Sequence, residues 1–126
     1  MRFPLAALAL VSVLAEHPPG RIVTIVLPHA PRAGETATLV VTVGKIQRGA
    51  EIEITTTSGR FLGVISPYGI RAGREAGTYT VPLPAKAIAR RRVSLILTIH
   101  ANGKQRAPTM AEITRVRVRI RSIRPN

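Results

Sequence analysis

The sequence predicts an all-β chain, folded as an antiparallel sandwich of about seven strands. Three observations predict it. The first is the stretch from Ile113 to Arg124, ITRVRVRIRSIR, where Arg115, Arg117, Arg119 and Arg121 alternate with Val116, Val118 and Ile120. A period of two puts successive side chains on opposite faces of a strand. On a helix the same arginines would scatter around the axis. The second is composition: 45% of the 126 residues are apolar, Trp is absent, and only Phe3, Phe61, Tyr68 and Tyr79 are aromatic. The core must therefore come from Val, Ile and Leu, which suit strands. The third is spacing: short apolar runs recur between Gly, Pro and Asn turn signals, with no convincing helix, as in a sandwich or barrel.

The first fifteen residues are an address. Met1-Arg2 is a short positive region, Phe3 to Leu14 is an apolar run broken only by Pro4 and Ser12, and Val13-Leu14-Ala15 offers compact residues at the peptidase positions. This order is that of a secretory signal peptide cut after Ala15. The run is shorter than the ~20 residues that span a bilayer. Residues 1–15 are thus expected to be removed. Residues 16–126 are expected to form one exported domain, periplasmic or extracellular, with no transmembrane segment left.

Glu16 to Gly20, EHPPG, is a leader whose prolines and glycine block regular structure. Arg21 to Leu27 is a first strand, apolar on both faces. After the turn Pro28 to Gly34 comes Thr36 to Val43, TATLVVTV, with Ala37, Leu39, Val41 and Val43 on one face and Thr36, Thr38, Val40 and Thr42 on the other. Glu51 to Thr56 alternates Ile52 and Ile54 inward with Glu51 and Glu53 outward. Ser58-Gly59 then turns the chain into Arg60 to Ser66, the clearest hairpin signal, with Gly63 as a candidate bulge. Pro67 to Gly77 is a long loop. Thr78 to Leu83 is an edge strand because Pro82 cannot donate to a ladder. Pro84 to Arg90 has room for one helical turn. Arg91 to His100 is the most hydrophobic strand. Ala101 to Glu112, with Asn102-Gly103, is a loop before the arginine-striped strand.

The stretches PRAGETATLVVTV at Pro31 to Val43, AGTYTVPLP at Ala76 to Pro84 and VSLILTI at Val93 to Ile99 resemble the immunoglobulin-like and fibronectin-III-like modules of exported bacterial proteins. The resemblance implies an Ig-like sandwich over most of Arg21 to Ile123, without the Cys…Trp…Cys core or tyrosine corner of antibody domains. A fold shared by so many functions implies none of them.

The formal charge is +13, from 19 basic and 6 acidic residues, all of the latter glutamate. Such a surface attracts polyanions over a range set by salt. Cysteine is absent, so disulfides, thiolate metal sites and a cysteine nucleophile are excluded. Without aspartate there is no Ser-His-Asp triad, and no nucleophile elbow occurs. Ser66 and the pair Glu51/Glu53 are the loosest catalytic candidates. His17, His29 and His100 lack the sequence neighbours of a metal site, and only His17, if exposed at a trimmed N-terminus, would suit a metal. No cofactor, metal centre or enzymatic activity is expected.

The arginines are the candidate site. Alternate strand residues lie ~6.8 Å apart, so Arg115 to Arg121 make a row of ~20 Å. Guanidinium forks match phosphate, sulfate and carboxylate oxygens. Arg90, Arg91 and Arg92 form a second cluster, and Arg71 and Arg74 a third. The same charges on a last, edge strand would also keep it from pairing with other chains. The expected role is a non-enzymatic structural or interaction module of the cell envelope, its partner another envelope protein. The alternative is a binder of anionic polysaccharide or lipopolysaccharide through the arginine row. Export and the scarcity of stacking aromatics weigh against nucleic acid.

Overall fold

Among the described residues the alternating runs pair as eight strands: β1 (Arg21–Val26), β2 (Glu35–Val43), β3 (Glu51–Thr56), β4 (Phe61–Ile65), β5 (Thr78–Leu83), β6 (Arg92–Ala101), β7 (Lys104–Arg106) and β8 (Ile113–Ser122). The computed structural model describes residues 19–67 and 77–123. The expected signal peptide, His17, Arg71, Arg74 and most of the Pro67–Gly77 loop lie outside the described residues. All strand pairs are antiparallel and fall into two sheets. One runs β1-β6-β3-β4, with β7 on the same edge of β6 as β1; the other runs β5-β2-β8. The chain is an antiparallel β-sandwich.

The core lies where the inward positions of the two sheets meet. Leu39, Val41, Ile52, Ile54, Leu95, Leu97 and Ile99 are fully buried there. These are the residues that period-two patterning puts on one face of each run. Full burial of one such side chain is worth about 1.5–3 kcal/mol. A single 3-10 turn, Ala85–Ala87, fills the connection expected to hold one.

Three local features refine the expected pattern. Residues 101–112 are not all loop: Asn102 (φ 53°) and Gly103 (φ 73°) make a tight turn that pairs β7 with the end of β6. Asn-Gly is the pair that tolerates such angles best. On β8, Thr114 is the extra residue of a bulge, since Thr42 faces Arg115 while Val43 faces Ile113. The bulge resets the parity, so Ile113 and Val116 both turn inward while Arg115 turns out. On β4 the register shift falls at Leu62, beside Gly63. Gly63 itself serves close packing, because a Cβ there would sit 3.0 Å from a Val81 methyl.

Each exposed edge carries something that resists further pairing: Pro82 on β5, the bulge on β4, the interrupted β1–β7 edge, and arginines on β8.

Candidate functional site

Register turns the arginine alternation into a surface. Arg115, Arg117, Arg119 and Arg121 on β8 stand opposite Thr42, Val40, Thr38 and Thr36 on β2. On the far side of β2, Thr42, Val40 and Thr38 face Thr78, Thr80 and Pro82 of β5. The outer face of the three-stranded sheet is therefore a row of guanidiniums beside a field of threonines, and no carboxylate of the described residues stands on it.

The four described glutamates are engaged elsewhere. Glu35 accepts from the Arg32 backbone N–H at 2.8 Å. Glu51 accepts from the Ser66 hydroxyl at 3.1 Å. Glu53 lies 2.6 Å from His100 Nε2. Glu112 takes both forks of Arg106, at 2.8 and 2.6 Å. Among the described residues, Arg115, Arg117, Arg119 and Arg121 have no ion pair and no side-chain hydrogen bond.

The row is held against the sheet. Val40 points outward, apart from the main core, and yet is only 2% exposed. Its cross-strand neighbours are Arg117 and Thr80. Arginine stems cover apolar surface while their heads stay wet, which accounts for a dry valine on an outer face. The Nε of Arg119 is also buried, with no hydrogen-bond partner. That side chain lies along the sheet and does not stand off into water.

The second cluster is placed differently. Arg92 begins β6 in the other sheet, opposite Val26. Arg90 (φ 54°) and Arg91 (φ 62°) form the centre of a two-residue turn closed by Ala89 and Arg92, whose backbones bond each other at 2.9 and 3.0 Å. Positive φ costs a non-glycine residue roughly 1–2 kcal/mol. Arg91 offsets part of that by donating to the Leu27 and Pro28 carbonyls at 3.4 and 3.1 Å. The fold thus uses Arg91 to tie the turn to the end of β1. It does not bring Arg90–Arg92 onto the outer face that carries Arg115–Arg121.

Sequence reasoning missed the Arg106–Glu112 lock between β7 and β8. Thr109 and Glu112 bond reciprocally, backbone N–H to side-chain oxygen each way, at 2.9 and 3.2 Å. This is a Thr-x-x-Glu capping box around one turn, and the spacing was there to be seen. The Arg106 guanidinium, followed by the Thr109 N–H, holds the Glu112 carboxyl down at about 2 against the opposing effect of burial.

The catalytic candidates stay apart. Ser66 is bonded to a glutamate, and His100 to a different one. Among the described residues no group of three His, Cys, Asp or Glu side chains could hold a metal ion. An open cleft of about 430 Å³ at the β4–β5 seam is lined mainly by Phe61, Leu62, Pro82, Leu83 and Pro84, with Arg60 and Thr36 its polar members. No helix among the described residues is long and apolar enough to cross a membrane. Comparison with known proteins finds no matching family model, no matching curated sequence and no matching solved structure.

Proposed function

We propose that this chain is an exported, non-catalytic interaction module of the cell envelope, and that its working surface is the outer face of β5-β2-β8, which takes an anionic polymer. One observation carries the proposal: four guanidiniums stand in line on a face where, among the described residues, there is no carboxylate and none of them has a protein partner. Unpaired arginine forks are ready for oxyanions. The signal-like residues 1–15 support export, and without cysteine the fold rests on its core alone.

The Ig-like assignment belongs to the same proposal. It is supported by the pairings β2–β5, β3–β6 and β6–β7, the counterparts of B–E, C–F and F–G in immunoglobulin sandwiches. It departs from that pattern at the ends of the chain, where β1 joins β6 and β8 joins β2.

The test is retention on immobilised heparin at ~0.15 M salt, where exposed charges more than ~8 Å apart are screened. Arg117→Gln with Arg119→Gln should weaken binding by about tenfold or more per arginine, since a charged hydrogen bond is worth ~1.5–3 kcal/mol. Retention that ignores these changes would sink the assignment to this face.

A further inference from the structure

We infer that the arginine face selects polysaccharides bearing phosphate or sulfate esters over those bearing carboxylates. The inference rests on the anion-binding role proposed above and goes on to name the ligand's chemistry. Its basis is the register. Three of the four arginines have a threonine directly opposite: Thr42 for Arg115, Thr38 for Arg119 and Thr36 for Arg121. Cross-strand partners of this kind have Cβ atoms ~4.5–5.5 Å apart, within reach of one small ligand group. The hydroxyls of Thr36, Thr38 and Thr42 have no hydrogen-bond partner among the described residues. They are spare donors beside spare donors.

On the other sheet one pair of facing hydroxyls satisfies itself. There Thr24 and Ser94, also directly opposite each other, bond hydroxyl to hydroxyl at 3.1 Å. On the arginine face the β8 neighbour of each of these hydroxyls is a guanidinium, which can donate to the hydroxyl oxygen but can accept nothing from it. The hydroxyl hydrogen and the remaining guanidinium donors are left for an acceptor that comes from outside.

The shape of that acceptor follows. A guanidinium fork occupies two oxygens of an oxyanion. A carboxylate has only two, both in the plane of the fork. A phosphate or sulfate ester has a third, out of that plane, free to accept from the threonine on the neighbouring strand. Each Arg–Thr rung thus fits a tetrahedral ester better than a planar acid. The Arg119 and Arg121 rungs lie ~6.8 Å apart, and the Arg115 rung lies about twice that distance from Arg119, because Val40 stands opposite Arg117. A polymer with many such groups can engage several at once, and multivalency then multiplies a small preference per rung.

The experiment uses one polymer backbone with three substituents: dextran sulfate, dextran phosphate and carboxymethyl-dextran, matched in charge density, titrated into the purified full chain at ~0.15 M salt. The expected result is binding to the sulfate or phosphate polymer about tenfold tighter than to carboxymethyl-dextran, since two or three added hydrogen bonds suffice for that ratio. Whichever ester binds more tightly names the source. The double variant Thr38→Val, Thr42→Val keeps β-branched side chains in the strand and removes two hydroxyls. It should bring the ratio close to one. Equal binding of all three polymers by the unaltered chain, or a ratio that survives the threonine changes, overturns the ester selectivity and leaves anion binding intact. Binding to none of them overturns the anion-binding role itself.

Discussion

The two outer faces of the sandwich both carry hydroxyls and charged groups at alternate positions, and they settle those groups in opposite ways. On the β1-β6-β3-β4 face several polar groups consume one another: Thr24 with Ser94, His100 with Glu53, Ser66 with Glu51. Between them stand the exposed apolar side chains Ile22 and Val64. On the β5-β2-β8 face every charged group of the described residues is a cation, and the guanidiniums meet no acceptor there. The first face balances much of its polarity within the isolated chain, and the arginines of the second find their acceptors only in solvent or in a ligand. A polar surface is therefore informative less by its charge than by whether its donors and acceptors balance.

The largest expected effect breaks that asymmetry outright. Changing Arg115, Arg117, Arg119 and Arg121 together to Gln should abolish heparin retention at ~0.15 M salt and flatten the dependence of log affinity on log salt, since fewer counterions are released. The melting temperature should fall only modestly: charges without partners contribute little to stability, though the shorter glutamines cover Val40 less well. Edge protection makes a different demand on the same protein. If the arginines serve chiefly to keep β8 from pairing, the variant should self-associate on size-exclusion chromatography while the unaltered chain stays monodisperse. Loss of retention by a variant that stays monodisperse decides for binding.

Much of this was legible in the sequence. The faces of β2, β3, β6 and β8 follow from period two, and the arginine row and the threonine row were each visible on their own strands. Their adjacency was not, because it depends on β8 choosing β2 as its neighbour across the sandwich. Nothing local in either strand encodes that choice. The His100–Glu53 pair was hidden for the same reason, its members lying 47 residues apart. β7 escaped because Lys-Gln-Arg has no apolar member, though the Asn102-Gly103 turn before it was in view. Arg91 looked like a binding residue and is tied to backbone carbonyls, a use that becomes visible only once β1 and β6 are side by side.

A second, smaller effect contrasts the arginines with carboxylate partners to those without. Glu112 is buried, and its carboxyl is held down at about 2, below its ordinary value of 4.5. A folded-state value below the unfolded one contributes stability that is complete above pH ~4.5 and is lost as pH falls from there toward 2. Thermal melts across that window should show the loss, and Glu112→Gln should show a shallower decline. At neutral pH the same change should cost about 1–3 kcal/mol, the worth of charged hydrogen bonds to a buried group. Heparin retention of the Glu112→Gln protein should match that of the parent, since Glu112 lies outside the arginine face. A matching drop in retention would mean that the β7–β8 lock sets the register of the whole row.

The smallest effect tests whether the other face is as self-contained as its hydrogen bonds indicate. His100 and Glu53 are each about one-third exposed, so solvent screens their attraction despite the 2.6 Å approach. Glu53→Gln keeps a side chain that can still meet the His100 ring, and should lower stability by about 1 kcal/mol or less. It removes one of the few negative charges on the chain, on the sheet opposite the arginines, where ~8 Å screening at physiological salt isolates it. Polymer affinity at ~0.15 M salt should therefore stay within about twofold of the parent, with a modest rise only at low salt. A gain that persists at physiological salt would mean the polymer reaches both faces. The ligand would then read the net charge of the whole molecule, and the Arg–Thr rungs would have no privileged place in binding it.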